Sequence, residues 1–212
     1  MGNWNLKEFK QICLQKEFNE LLHYTESLAF KWQAAIYHKD NIEEKINGLQ
    51  TDFSLEKAAR YDYEIIFEAD ALLTVLNSMW DILAQIINEC FIHKEIKKVY
   101  FCTILVNNHN LIPAQVKSYL VEIEEAELYK TIKAYCNTSK HRYAVRGNTD
   151  TDVSKKPYDV KFIVDEFEYN GKRYKLTQKK VLECYKFAGK SFDTVGNEIH
   201  KLLKSGDITK TI

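Results

Sequence analysis

The chain has 212 residues, 45% hydrophobic and 28% charged, with Lys+Arg and Asp+Glu balanced at 30 each. That length can bury a substantial core, and those proportions exclude a disordered or fibrous chain. The zero net charge excludes a globally basic nucleic-acid binder, so any polyanion site must be a local concentration of cations.

Only 7 Gly and 2 Pro are present, which favours long helices. From Leu6 to about His38, apolar residues recur at helical spacing (Phe9, Ile12, Cys13, Phe18, Leu21, Leu22, Leu28, Trp32, Ile36). This pattern predicts one long amphipathic helix or a pair. Lys39 to Phe53 is polar and Asn-containing, with weak periodicity, and reads as a loop with a helical turn. Ser54 is placed to cap the next helix, about Leu55 to Ile92, whose apolar residues cover most of its circumference. One line along that helix is polar: Asp70, Thr74, Asn77, Asp81, Gln85 and Asn88 share a face. Such a line faces solvent or a polar site, and a buried carboxylate needs a cationic or hydrogen-bonding partner.

Glu95 to about Asn108 predicts a third helix, and Pro113 is suited to open a fourth. Glu124 to Glu127 marks a further helix start, where negative charge suits the macrodipole. Leu128, Ile132 and Tyr135 carry the apolar stripe of that helix toward Asn137. Gly147 to Pro157 reads as a polar loop. Tyr158 to Leu176 is the β signal, with Asn170-Gly171 suited to a type I′ hairpin turn. That register sets Phe167 opposite Tyr174, Glu168 opposite Arg173 and Glu166 opposite Lys175. Thr177 caps a last helix through about Lys204. Gly189 and Gly196 lie on its apolar face at a cost of roughly 1 kcal/mol each relative to Ala, which close approach of another helix would justify.

The fold class expected is mainly α, with one β-hairpin before the last helix, in a single domain over 1–212. Residues 1–54 would form an N-terminal helical extension and 158–176 a hairpin insertion. The N-terminus lacks an apolar signal region, and Ala71 to Phe91 is too polar, with Asp81 and Glu89, to span a membrane. Cys13, Cys90, Cys102, Cys136 and Cys184 are dispersed without a C-x-x-C pair, which suits a reducing cytoplasm and gives no basis for a zinc site. No metal or cofactor is expected.

The densest group of chemically capable side chains is Asn137-Thr138-Ser139-Lys140-His141-Arg142. Lys130, Lys133 and Arg146 add cations on either side. With Lys140 and Arg142 adjacent, like charge disfavours the imidazolium of His141, so a neutral imidazole is expected near pH 7. A neutral imidazole can take a proton from a nucleophile, and Arg can stabilise charge developing on a phosphate. The competing reading is a helix C-terminus decorated with cations that favour its dipole.

A long central helix carrying Asp81-Ile82-Leu83-Ala84-Gln85-Ile86-Ile87-Asn88, followed by Asn137-x-x-Lys140-His141-Arg142, a hairpin and a last helix, resembles the HEPN superfamily. The N-x-x-K-H-R signature is most similar to its Cthe2314-like branch. The resemblance implies a helical bundle that dimerises, bringing two motifs into one cleft, and in many members a metal-independent ribonuclease of toxin–antitoxin or phage-defence systems. It implies His141 as general base or acid, Lys140 and Arg142 on the scissile phosphate, and Asn137 orienting it. Asp81 and Asn77 would support them from the central helix, and Lys130, Lys133 and Arg146 would contact RNA. The partners implied are a second copy, RNA, and a cognate antitoxin or partner protein. The chain departs from the superfamily's catalytic pattern, Arg followed by four to six residues and then His, because Ala134, Tyr135 and Cys136 occupy the Arg positions. A non-catalytic module binding RNA or a partner protein is therefore the alternative.

Overall fold

The computed structural model describes residues 4–92, 100–108, 110–141 and 145–208, without the side chains of residues 105–108 and 141. In chain order the elements are α1 (Leu6–Gln15), α2 (Asn19–Thr51), α3 (Leu55–Ile87, continued by a π-helical turn Asn88–Ile92), α4 (Phe101–Asn108), α5 (Ala114–Glu125), α6 (Glu127–His141), β1 (Gly147–Asp152), β2 (Asp159–Tyr169), β3 (Lys172–Thr177) and α7 (Gln178–Ser205). The fold is mainly α, with a small antiparallel sheet before the last helix. The expected start of the third helix at Glu95, and Arg142, lie outside the described residues. Leu55–Ile92 has the length and apolarity of a membrane span, and half of its most apolar window is buried inside the protein.

The chain divides into two compact units, one of Met1–Trp32, Ser78–Tyr129 and Phe187–Ile212, the other of Gln33–Asn77 and Lys130–Lys186. In the first, Trp80 stacks on Phe192 at 4.3 Å and meets Tyr129 edge-on at 5.5 Å, with Phe101 completing the cluster. The amphipathic pattern from Leu6 resolves as two helices. Phe18 N–H bonds to Cys13 C=O and Glu17 N–H to Leu14 C=O, with Glu17 at φ 58°, a Schellman stop. Glutamate at a left-handed position gives no sequence signal, because Gly or Asn is the residue expected there. Gly196 is explained here. A Cβ at that position would lie 2.2 Å from the Trp4 indole, so the neighbour that requires glycine is a ring rather than another helix.

In the second unit the reading of Lys39 to Phe53 as a loop is overturned, because α2 runs on to Thr51. Ile42, Ile46 and Leu49 are buried at helical spacing, and Lys39 pairs with Glu43 one turn on. Asn41 and Gly48, which look like breakers, make contacts instead. Asn41 Nδ2 donates to Glu68 Oε1 at 2.9 Å, and Gly48 C=O accepts from Lys57 Nζ at 2.9 Å. Ser54 Oγ caps α3 through Lys57 N–H at 3.1 Å, and Thr177 Oγ1 caps α7 through Lys180 N–H at 3.3 Å.

The expected hairpin is the β2–β3 pair of a three-stranded sheet of order β1-β2-β3, so the reading of Gly147 to Pro157 as loop is corrected over Gly147–Asp152 and holds for 153–157. Its Gly-Asn-Thr-Asp-Thr-Asp strand has little intrinsic strand preference. It is held by pairing along β2 and by Asp62, whose Oδ1 accepts from Thr149 N–H at 3.0 Å and from the Thr149 hydroxyl. The Asn170-Gly171 turn has φ of 52° and 75°, as a type I′ turn requires. Phe167 faces Tyr174 with stacked rings, and Glu168 faces Arg173. The Glu166–Lys175 pairing is replaced by a bulge, since register shifts between Val164 and Phe167. The extra residue keeps Val160, Phe162, Val164 and Phe167 all buried along β2.

Candidate functional site

The motif occupies the last turn of α6. That helix is positioned by its apolar face, where Ile132, Ala134, Tyr135 and Cys136 are buried. Three bonds fix the turn. Tyr135 Oη and Ser139 Oγ both donate to Asp70 Oδ1, at 2.9 and 3.1 Å. Asn137 Nδ2 donates to Tyr169 Oη on β2 at 3.2 Å. Cys136 Sγ also donates to Leu73 C=O at 3.4 Å, and the Tyr135 ring meets Phe167 edge-on at 5.8 Å. The motif is therefore clamped between α3 and the sheet.

The polar line of α3 divides between two tasks. Asp70 meets α6, whereas Asp81 Oδ1 accepts the Phe101 N–H at the start of α4, at 3.3 Å. Asn77 is half-buried on the same line. Sequence reasoning singled out Asp81 and Asn77 as support for the motif; Asp70 and Tyr169 are further residues, bonded to its Ser139 and Asn137. The signal for Asp70 was present in the helical spacing of the polar line, but spacing does not say which acid of the line meets which helix.

The outward side of α6 carries Lys130, Lys133, Asn137 and Lys140 at i, i+3, i+7 and i+10, one face of the helix. Lys130, Lys140 and Arg146 are exposed, and among the described residues no ion pair engages any of the three. His141 closes α6, and its backbone continues this face; its side chain and Arg142 lie outside the described residues. Burial pushes the Cys136 thiol up to about 12, and burial together with the Asp70 carboxylate holds the Tyr135 phenol far above its ordinary value. Neither group is a nucleophile or proton carrier near neutral pH. Among the described residues no cluster of three or more His, Cys, Asp or Glu is arranged to hold a metal ion.

The three positions at which the superfamily pattern places Arg are Ala134, Tyr135 and Cys136, and all are at most 2% exposed. Tyr135 and Cys136 lie on the inner side of the helix, bonded to Asp70 and to Leu73 C=O, so an arginine at either would point into the core of the unit. Ala134 is also buried, although it is one helical turn from both Lys130 and Asn137.

The model of the Cthe2314-like HEPN family matches residues 18–200. No curated protein and no solved structure matches the chain. The family match starts beyond α1 and encloses α3, the clamped motif turn, the sheet and most of α7. The chain belongs to the Cthe2314-like HEPN family.

Proposed function

We propose that this HEPN protein acts on RNA through the outward face of α6, as a homodimer that brings two such faces into one cleft. The observation carrying the proposal is the line of Lys130, Lys133, Asn137 and Lys140 ending at His141, on a turn held rigid from behind by Asp70. A cationic line on a fixed helical turn is suited to a phosphate backbone, because little backbone freedom remains to be lost on binding.

The activity proposed is metal-independent endoribonuclease chemistry. His141 takes the proton of the ribose 2′-hydroxyl, the 2′-oxygen forms a bond to phosphorus, and the P–O5′ bond breaks to leave a 2′,3′-cyclic phosphate and a 5′-hydroxyl. The proton needed by the departing oxygen comes from an imidazolium, that of His141 or of its copy in the partner. Lys140 and Arg142 stabilise the phosphorane charge, and Asn137 orients the phosphate. Such an activity fits a cytoplasmic toxin–antitoxin or phage-defence role, with a cognate antitoxin or partner protein restraining it.

The test is incubation of the purified protein with end-labelled RNA in EDTA and in magnesium. Cleavage in both, lost in His141→Ala with unchanged circular dichroism, is the expected result. A second reading rests on the burial of Ala134, Tyr135 and Cys136, which leaves the superfamily's Arg register inside the core. That reading is RNA or partner binding without cleavage, and it is favoured if RNA is retained intact.

A further inference from the structure

A cleft of about 710 Å³, open to solvent, lies in the second unit between the first half of α3 and the start of β1. Tyr63 and Phe67 line it from α3, and Val145, Arg146 and Gly147 from the strand side. Tyr63 and Phe67 are each 67% exposed and one helical turn apart, so two aromatic faces are presented to solvent side by side. Isolated exposed aromatics are ordinary, but two in one cleft beside an exposed arginine that no ion pair engages among the described residues are not.

The charge of the cleft is suited to a polyanion. The acids of this part of α3 are turned to α2, where Glu68 binds His38 Nδ1 at 2.6 Å and Asn41, and Glu64 faces Lys45 at 3.6 Å. Asp62, the one carboxylate lining the cleft among the described residues, is occupied by the Thr149 backbone and hydroxyl, and burial raises its pKa. Gly147 keeps the strand side low: a Cβ there would lie 2.8 Å from Ile163 C=O, so no side chain fits at that point. Arg146 is six residues from Lys140, at most about 20 Å of extended chain, so one nucleic-acid strand can reach both.

We infer that Tyr63 and Phe67 are a stacking platform for unpaired bases, which makes single-stranded RNA the substrate class of the α6 site, with Arg146 meeting its phosphates. The inference rests on the RNA-directed reading above. Aromatic faces stack any base but only when it is out of a duplex, and a neighbouring arginine tracks the backbone.

The experiment uses fluorescence anisotropy with the full-length protein, a fluorescein-labelled unstructured 12-nucleotide RNA and the same strand annealed to its complement. Tyr63→Ala/Phe67→Ala is expected to weaken single-strand binding about ten- to hundredfold, the range set by loss of base–aromatic stacking. The salt dependence should be unchanged, and Tyr63→Phe/Phe67→Tyr should bind like the wild type. Arg146→Ala should instead lower the salt slope by about 0.7, one phosphate on a single strand. If wild type binds RNA but the double alanine variant binds equally well, or duplex is preferred, the platform is overturned and the α6 reading survives. If the variant converts a dimer to a monomer in sedimentation velocity, the aromatic face belongs to a second copy and the inference is overturned. If the wild type binds no RNA, both readings fall together.

Discussion

Ser139 on α6 donates to Asp70 on α3 at 3.1 Å, across 69 positions of sequence. The same carboxylate oxygen also receives the Tyr135 hydroxyl from the turn before. One acceptor thus holds two successive turns of α6, and these two turns carry the motif. Asp70→Ala would leave the Tyr135 hydroxyl without its acceptor in a largely buried place, a cost of about 1–3 kcal/mol. Asp70→Asn keeps an acceptor and should cost less. Urea midpoints of the two variants check this, and RNA affinity should fall with the order of the α6 turn.

The lysines of the outward face should behave differently. Lys130→Ala and Lys140→Ala remove exposed side chains without an ion pair, so stability should change by less than about 0.5 kcal/mol. Each lysine that contacts a phosphate should lower the slope of log affinity against log salt by about 0.7 on single-stranded RNA. Anisotropy titrations between low and physiological salt measure it, and an unchanged slope for both variants would remove α6 from the binding surface.

Trp4 and Gly196 form a lock between the N-terminus and α7. The indole is seated where a Cβ would lie 2.2 Å away, and Trp4 N–H bonds to Asp193 Oδ1 at 3.2 Å. Gly196→Ala should therefore destabilise by about 1–3 kcal/mol through overpacking. Trp4→Ala vacates the space, so the double variant should lose less than the sum of the two single losses. Thermal unfolding of all four proteins gives the cycle.

His200 supplies a pH dependence. It is buried against the Phe9 ring, with Nε2 3.7 Å from Glu8 Oε2. Burial lowers its pKa below 6.5, outweighing the pull of Glu8, and Lys204 acts in the same direction as burial. The unfolded chain therefore takes up this proton first as pH falls. Stability from His200 is complete above about 6.5 and is lost as pH drops below it, at no more than about 1.4 kcal/mol per pH unit. Glu8, held below its ordinary value chiefly by Lys204, acts only at lower pH, near and below 4.5. The unfolding midpoint should fall between pH 7.5 and 5.5, and His200→Gln should flatten that fall.

The thiols should separate by burial. Cys13, Cys136 and Cys184 are pushed up to about 12 by burial, and Cys90 is raised by the same cause. At pH 8 a thiol of pKa 12 is thiolate in about one molecule in ten thousand. Iodoacetamide should label half-buried Cys102 first in the native protein, with the other four reacting on unfolding, as peptide mass spectrometry would show.

Several features were legible in short stretches of chain. Ser54 and Thr177 cap their helices, Asn170-Gly171 turns the hairpin, and the break before Glu127 separates α5 from α6. Each is decided by residues within one or two turns of itself, so local pattern suffices. The cationic line of α6 was equally plain, because helical spacing alone aligns Lys130, Lys133, Asn137 and Lys140.

Helical periods, caps, the hairpin turn and the position of the N-x-x-K-H-R motif were thus determined by sequence alone, since each depends on neighbours a few residues away. Tertiary structure decided which groups the motif meets. It extended α2 through Asn41 and Gly48, made a strand of Gly147–Asp152 by pairing it with β2, and set Asp70 as an acceptor behind α6. It also buried Ala134, Tyr135 and Cys136, the register where the superfamily has Arg. These outcomes turn on contacts between residues tens of positions apart, where burial and hydrogen-bond pairing override local preference.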